Sequence, residues 1–320
     1  MSNYCGYFYN SSLVLANYFS LRRKEITLMP NSCFTQLNDS KIAIVTDSAC
    51  DLNPEMIERY KIEVLPLHIV YKDREYLDRI NITPQEVYDT IEEEVPKTSL
   101  PSLGEITELF KRLTAEGVTH VLAIHISSGL SGTYNAVATI AEEFKNMVIE
   151  VIDSKTLSMG LGFPVLEAAR ERERSWDFYK MIETSKSVIK DIKAFYVLST
   201  LEYLKRGGRI GYVSGTIGEL LNIKPIISIN EEGKYYTYTK VRGREQSLRR
   251  LTEVLSEHVQ DKLSNVAIVH GGAEHEARVL ERTARSLPNV KEIIFGQISP
   301  AMGVHTGPGL VGFLVYPALG

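Results

Sequence analysis

A hydroxyl-rich stretch decides the fold class, and it reads His125-Ile126-Ser127-Ser128-Gly129-Leu130-Ser131-Gly132-Thr133-Tyr134. The apolar run at residues 121–124 predicts a buried strand before it, and helical spacing of apolar residues follows from Asn135 to Phe144. In parallel sheets, ligands bind outside the carboxyl ends of the strands, which is where this stretch lies. Amide N–H groups at a helix start favour an anion, and neutral hydroxyls add donors. The stretch therefore predicts a site for one carboxylate or phosphate.

The same stretch also has a purely structural interpretation. Ser131 could cap the following helix, and the two glycines could relieve strain in an ordinary strand-to-helix turn. The loop by itself leaves both interpretations open, so the rest of the chain has to decide between them.

The composition describes a globular protein and excludes several functional classes. Of the 320 residues, 44% are hydrophobic and 24% are charged, and the net charge of −4 gives no reason to expect a nucleic-acid partner. No apolar stretch of the sequence reaches the roughly 18 residues of a membrane span. Cys5, Cys33 and Cys50 are too few and too scattered for a disulfide framework or a zinc site, which favours a reducing cytoplasm.

The first 40 residues differ from the remainder of the chain. Residues 7–21 are mainly aromatic and apolar, but polar residues interrupt them, and the basic residues follow the apolar part. A signal peptide has its charges in the opposite place. We therefore expect residues 1–40 to form an extension outside the fold, for which a transient contact with a membrane surface stays open.

Strands alternate with helices along the rest of the chain, which is typical of an α/β protein. Predicted strands at residues 41–46, 64–71, 118–126 and 148–152 are separated by helical patterns. We predict two α/β domains. The first, residues 41–190, has a mainly parallel sheet with helices on both faces, and the second, residues 191–320, has a mixed sheet with flanking helices.

Several local patterns extend this prediction. Residues 96–101 read as a proline-bounded turn with two hydroxyls, and residues 158–189 favour one long helical region. A helix is predicted to end near Leu221 after a basic glycine turn. Pro225–Ile229 and Tyr235–Val241, separated by a glycine turn, predict an antiparallel hairpin.

Polar side chains recur in loops after strands or before helices. The first half contributes Ser48, Thr98, Ser127 and Ser128, and the second half contributes His305 in a glycine-rich loop. A lone histidine is often only a structural hydrogen-bonding residue, so His305 is a candidate and no more at this point. The sequence shows no metal-ligand spacing, no P-loop and no hydrolase elbow, and we expect neither a metal nor another cofactor.

Two other functional classes remain open from these residues. Ser128 and His305 could form the dyad of a stand-alone acyltransferase or thioesterase, although no third, orienting residue is indicated. The loop could also belong to a module that binds a phosphorylated small molecule. The basic turn at Arg206 and Arg209 favours an acidic partner, or else is a solvated surface.

Seven separated motifs together decide between these classes. In chain order they are Val45-Thr46-Asp47-Ser48 with Asp51, Lys97-Thr98-Ser99-Leu100-Pro101-Ser102, Ser127-Ser128-Gly129-Leu130-Ser131-Gly132-Thr133-Tyr134, Val151-Ile152-Asp153-Ser154, Lys205-Arg206-Gly207-Gly208-Arg209, Lys240-Val241-Arg242-Gly243 and His305-Thr306-Gly307-Pro308-Gly309. In that order and spacing, the chain resembles the DegV family of bacterial fatty-acid-binding proteins. Each motif alone is weak, but the ordered set is specific and leaves out only residues 1–40.

The resemblance implies a non-catalytic protein that buries a long-chain fatty acid. Family members serve as binding subunits that present the carboxylate to a separate ATP-dependent fatty-acid kinase subunit, which makes an acyl phosphate for phospholipid synthesis. By motif position, Thr98, Ser128 and His305 would bind the carboxylate. Arg209 and Arg242 would dock the kinase. Supporting hydroxyl candidates are Ser48, Ser127 and Ser131.

Elementary energetics agree with a fatty acid as the ligand. Burial of a tail contributes about 0.8 kcal/mol per methylene, or roughly 10 kcal/mol for a dozen or more, before the costs of binding. The headgroup then needs only orientation and enough donors to offset its lost hydration. Neutral hydroxyls meet that need and leave the carboxylate free of a tight arginine pair.

Overall fold

The computed structural model of the protein describes residues 41–216 and 223–319. The predicted extension at residues 1–40 lies outside the described residues, and so does the end of the helix predicted to reach Leu221. A 3-10 turn, Gly211–Thr216, occupies the described start of that segment. Lys41–Gly320 forms one compact unit.

The described chain alternates between strands and helices. The strands are β1 (Ile42–Asp47), β2 (Ile62–Leu65), β3 (His68–Val70), β4 (Glu75–Leu77), β5 (Lys97–Ser99), β6 (His120–His125), β7 (Val148–Asp153), β8 (Lys193–Val197), β9 (Ile226–Ile229), β10 (Tyr235–Thr239), β11 (Ser264–Gly271), β12 (Val290–Gln297) and β13 (Leu310–Pro317). The helices are α1 (Pro54–Arg59), α2 (Pro84–Thr90), α3 (Leu103–Ala115), α4 (Thr133–Ala141), α5 (Met159–Ser175), α6 (Phe178–Asp191), α7 (Glu202–Arg206), α8 (Arg244–Val259), α9 (Glu274–Ser286) and α10 (Pro300–Thr306). None of these helices combines the length and the apolarity needed to cross a bilayer.

The first sheet is parallel and has helices on both faces, as predicted. Its strand order is β2-β1-β6-β7, and every neighbouring pair is parallel. Successive residues of a strand face opposite sides of a sheet. In β1, Ala43 and Val45 accordingly join the core beneath α3 and α4, and Ile42 and Ile44 join the core on the side of α5. The continuous apolar run of β1 is therefore that of a strand buried on both faces.

The second sheet is mixed and has the order β10-β9-β8-β13-β11-β12. Only β11 and β12 pair in parallel, and the remaining neighbours are antiparallel. The predicted hairpin at residues 225–241 is confirmed by the pairing of β9 with β10. Helices α8 and α9 cover one face through a separate apolar cluster.

Helix α5 packs on residues of both main sheets. Its residues 159–169 are all buried, and the ring of Phe163 packs against that of Tyr316 of β13 in a tilted arrangement with centroids 4.8 Å apart. The helical region predicted at about residues 158–189 is confirmed and consists of two helices, because Trp176, with a φ of 52°, ends α5 before α6 begins. The two main sheets lie on either side of residue 190 in the sequence, and the two-domain division there stays a prediction.

A third, antiparallel sheet corrects two further expectations. Residues 96–101 are not simply a turn, because β5 pairs with β3 and the sheet order is β4-β3-β5. The strand predicted at residues 64–71 is two strands in two different sheets. Pro66 lies at the break, and a proline has no N–H to continue a strand ladder. Thr98 therefore lies on a strand rather than in a loop.

The β9–β10 turn packs on the hydroxyl-rich loop, which places that loop against the second sheet. The buried Ser127 hydroxyl donates to the Gly233 carbonyl oxygen at 2.9 Å. Gly233 has a φ of +74°, and a Cβ there would overlap the Ser127 hydroxyl oxygen. Only glycine fits this contact without a shift of the loop.

We expect Gly233→Ala to destabilise the fold more than Gly117→Ala, a matched control. Gly117 also has a positive φ, of +77°, but nothing lies within 4 Å of a Cβ there. The control variant should lose about 1 kcal/mol of unfolding free energy from backbone strain alone. Gly233→Ala should lose about 1 to 3 kcal/mol more, because it adds overpacking. Urea denaturation measures both, and equal losses would show that the turn does not pack tightly on the loop.

Candidate functional site

A cavity of about 170 Å³ lies where β5, α10 and the hydroxyl-rich loop meet. Its polar lining residues are Thr98, Ser99, Ser131, Gly132, Arg209 and His305. Its apolar and aromatic lining residues are Leu67, Leu100, Ile126, Leu130, Leu157, Tyr235, Ala301 and Met302. Most of the second group belong to the largest hydrophobic cluster of the described residues. The cavity therefore has a polar end and an apolar wall.

Thr98 and His305 form the polar end of this cavity. The Thr98 hydroxyl oxygen lies 2.7 Å from His305 Nε2, a contact that joins residues 207 positions apart in the sequence. Thr98 is held in place because β5 pairs with β3, where Ile69 is its partner. His305 lies in the last turn of α10. Sequence motifs predicted both residues, and the fold brings them into direct contact.

The His305 ring is neutral at physiological pH. Burial is the main cause that lowers its pKa to about 4, and the positive charge of Arg209 acts in the same direction. Its Nδ1 atom is buried without a partner among the described residues. A Cβ on Gly207 would overlap the ring, so this glycine lets the turn after α7 approach closely. A neutral imidazole at this position can donate or accept one hydrogen bond toward a ligand.

Arg209 lines the cavity and also forms hydrogen bonds to backbone groups around it. Its Nε donates to the Leu130 carbonyl oxygen at 3.2 Å, and its Nη1 donates to the Gly207 carbonyl oxygen at 2.7 Å. The first contact reaches the hydroxyl-rich loop from the second half of the chain. Arg242 is exposed and is not among the lining residues. The two arginines of the docking hypothesis therefore have different environments.

The hydroxyls of the loop are not all directed to the cavity. Ser131 lines it, with its hydroxyl 2.9 Å from the Thr133 hydroxyl. Ser128 does not line it, and its hydroxyl oxygen accepts from Lys155 Nζ at 3.1 Å. Ser127 is buried against the β9–β10 turn. Ser48 is buried and accepts from the Leu67 amide at 3.0 Å, behind the wall.

The geometry gives no support to an acyl-transfer dyad. Among the described residues, no hydrogen bond joins Ser128 to His305, because the ring contacts Thr98 and the serine contacts Lys155. The described part of the chain also contains no group of three or more His, Cys, Asp and Glu residues placed to hold a metal ion.

A second cavity, of about 330 Å³, also borders the Thr98–His305 pair. Thr98, Arg209 and His305 line both cavities. The outer cavity also has Lys97 and Arg206 in its lining and has no acidic side chain there. We call it the outer basic groove. A headgroup at Thr98 and His305 would therefore lie beside positive charge.

Buried acidic residues that sequence reasoning did not assign hold the site in place. Asp47 lies at the end of β1 and accepts from the Ile126 amide at 2.9 Å. The same carboxylate lies 3.0 Å from His125 Nδ1, and neither side chain is exposed. An acidic residue directly after a buried strand was the available signal. Asp51 and Asp78, also buried, contact the start of α10.

Comparisons with known proteins agree with this fold. A family model described as an uncharacterised protein of the DegV family matches residues 41–318. A DegV domain-containing protein of Clostridium acetobutylicum is 46% identical over 276 residues, covering 86% of this chain and 99% of that protein.

Solved structures of the same family superimpose closely. A DegV family protein from Thermus thermophilus, described with fatty-acid binding, has a TM-score of 0.81 at 30% identity, covering 87% of this chain and all of that one. A stearic-acid-binding protein from Eubacterium ventriosum has a TM-score of 0.77 at 27% identity, covering 86% of this chain and 98% of that chain. With the family model matched over nearly the whole described chain, this protein belongs to the DegV family.

Proposed function

We propose that this protein binds a long-chain fatty acid and presents its carboxylate to a separate ATP-dependent fatty-acid kinase subunit, which forms an acyl phosphate for phospholipid synthesis. The observation that carries the proposal is the Thr98–His305 pair at the polar end of a cavity with an oily wall. The fatty acids described for structural relatives supply the ligand class.

The chemistry of the polar end suits a carboxylate that must still react. Thr98 and the neutral His305 ring offer hydrogen bonds without a full positive charge. Arg209 is near, but its Nε and Nη1 atoms donate to backbone carbonyl oxygens. The headgroup is thus oriented and partly compensated for lost hydration. The affinity for the fatty acid comes mainly from burial of its tail.

Within the hydroxyl-rich loop, Ser131 and Ser128 make separable contributions. Ser131 is already on the cavity wall, whereas Ser128 would have to exchange its contact with Lys155 for the ligand. In the proposal, Ser131 contacts the carboxylate from the cavity wall, and Ser128 reaches it by a side-chain rotation, which costs little for a partly exposed serine.

Removal of the hydroxyls should weaken fatty-acid retention. We expect Thr98→Val to release bound lipid about tenfold faster, because one hydrogen bond to a charged group is lost. The single variants Ser128→Ala and Ser131→Ala show which of the two loop serines contributes to fatty-acid retention. Mass spectrometry of lipid extracted from purified protein and fluorescent fatty-acid displacement measure the effect. The matched control is Thr139→Val, because the Thr139 residue is exposed and its hydroxyl donates to the Asn135 carbonyl oxygen on the same helix at 2.9 Å. An unchanged lipid content in the Thr98→Val/Ser128→Ala/Ser131→Ala variant would contradict the proposal.

Because burial keeps the His305 ring neutral in the fold, the folded protein should become less stable as the pH falls below neutral. The folded ring has a pKa of about 4, whereas an unfolded chain protonates near pH 6.5. Between these values the unfolded state binds more protons, so the stability contribution is complete above about pH 6.5 and is lost as the pH falls. Relative to His305→Asn, the wild type should lose about 2 kcal/mol between pH 7 and pH 5.

Urea denaturation at both pH values measures this difference. The exposed His275→Asn variant is the control and should follow the wild type. A parallel pH dependence of the wild type and His305→Asn would mean that the ring is not held neutral in the fold.

Presentation to a kinase should depend on exposed positive charge near the site. We expect Arg242→Glu to reduce phosphorylation of bound palmitate at least tenfold while lipid retention stays unchanged, because Arg242 is exposed and lies off the cavity wall. Arg209→Glu should also impair retention, since it breaks the contact with Leu130.

The assay follows labelled phosphate transfer from ATP in the presence of a purified fatty-acid kinase subunit. Arg249→Glu on α8, an exposed charge reversal elsewhere, is the control. Undiminished transfer with Arg242→Glu would remove this residue from the docking surface.

A further inference from the structure

Helix α10, which carries His305, is held at its start by two buried carboxylates from the first half of the chain. The Ser299 amide donates to Asp51 Oδ1 at 2.8 Å, and the Ala301 amide donates to Asp78 Oδ1 at 2.8 Å. These amides precede or begin the helix, where no intrahelical acceptor is available. The two carboxylates therefore hold the helix in one place against the first half of the chain.

An ion pair between the buried Asp51 and the partly exposed Arg79 strengthens this attachment. Arg79 Nη2 lies 2.8 Å from Asp51 Oδ1 and 3.1 Å from the carbonyl oxygen of Gln297, just before the helix. The other oxygen of Asp51 accepts from the Ser158 hydroxyl at 2.6 Å. The loss of any of these partners would leave the buried charge of Asp51 incompletely compensated. The position of Asp51 is therefore strongly coupled to the positions of its partners.

The backbone supports a dedicated role for this pair. Asp51 and Arg79 both have left-handed backbones, with φ values of 53° and 64°. A non-glycine residue there costs about 1 to 2 kcal/mol. Such strain persists only where the surrounding contacts over-determine it. Two strained residues that meet in one ion pair indicate that the side-chain contacts outweigh the backbone cost.

The short length of α10 links its start to the site. His305 lies four residues beyond Ala301, which is about 6 Å along a helix. Tyr88 of α2 packs beside Gly303 in the middle of the helix, so that a Cβ on Gly303 would come within 3.0 Å of the ring. Over so short a distance, a movement of the helix start displaces the His305 ring by a similar amount.

We propose that Asp78 and the Asp51–Arg79 pair are positioning residues, which set the place of α10 so that the His305 ring meets the Thr98 hydroxyl. They do not line the cavity, and their connection to His305 runs through the helix. The consequence for lipid binding rests on the function proposed above, whereas the effect on the His305–Thr98 contact does not.

The test compares Asp78→Ala with Asp78→Asn. Alanine removes the acceptor of the Ala301 amide, whereas asparagine keeps an acceptor oxygen for that amide and replaces the second carboxylate oxygen, which is buried without a partner among the described residues, with an uncharged NH2 group. Burial raises the pKa of Asp78 to about 6, so at pH 7.5 the native side chain is ionised. Asp73→Ala, which removes an exposed carboxylate, is the matched control.

The first readout is the nitrogen NMR spectrum of the His305 imidazole in delipidated protein. We expect Asp78→Ala to shift the Nε2 resonance toward that of a Thr98→Val variant, which lacks the hydroxyl partner. Asp78→Asn and Asp73→Ala should keep the wild-type resonance. A wild-type His305 spectrum in Asp78→Ala would overturn the proposal, and so would a shift of equal size in Asp78→Asn.

The second readout is the rate at which a fluorescent fatty acid leaves the protein. We expect about tenfold faster release from Asp78→Ala and rescue to within about twofold in Asp78→Asn. Release at the wild-type rate together with a shifted His305 resonance would count against the proposed role of His305 in lipid binding. It would leave the positioning role intact, so the two failures are distinguishable.

Loss of folding does not leave the question open. If Asp78→Ala fails to fold, Arg79→Gly serves as the second variant. It removes the guanidinium contacts to Asp51 and Gln297 while relieving the positive φ. A folded Arg79→Gly protein should show the same direction of shift at His305, and an unshifted resonance would overturn the role of the pair.

Discussion

The hydrogen bond between the Thr98 hydroxyl and the His305 ring depends on packing between segments 207 positions apart in the chain. Neither residue can find the other through local structure. Thr98 is placed by the pairing of β5 with β3, and His305 is placed by the attachment of α10 to the buried acidic residues. The site is therefore a product of tertiary packing. The relative position of Thr98 and His305 is set by the β5–β3 pairing and by the attachment of α10.

Buried charge is concentrated behind the site rather than in it. Asp47, Asp51 and Asp78 each lie out of solvent and accept backbone amide hydrogens that begin or end the segments of the cavity wall. A buried carboxylate is expensive unless it is fully paired, so these contacts tolerate little displacement. The cavity wall itself combines apolar side chains with neutral donors and the side chain of Arg209. The buried acidic residues that support the wall and the residues of the proposed headgroup site are thus different residues.

The basic residues around the Thr98–His305 pair also have different roles. Arg209 holds the Leu130 carbonyl oxygen and at the same time lowers the pKa of His305. Lys97 and Arg206 lie on the outer basic groove instead, beside the same threonine and histidine. Positive charge therefore lies next to the proposed headgroup position. This arrangement is consistent with the proposal that a fatty acid is held mainly by its tail while its carboxylate stays reactive.

The sequence by itself determined the elements that have local causes. The apolar periods predicted the parallel first sheet and the mixed second sheet, the glycine turn predicted the β9–β10 hairpin, and the ordered motifs identified the DegV family, which the comparisons confirm. Hydrophobic periodicity and turn-forming residues act within short windows of sequence, so both can be recognised in the sequence itself.

Only the tertiary structure decided which polar groups meet. It placed Thr98 on a strand, turned the Ser128 hydroxyl toward Lys155, and set Asp78 against the start of α10. No local pattern encodes these contacts, because each joins segments that come together only when distant strands and helices bury their apolar faces.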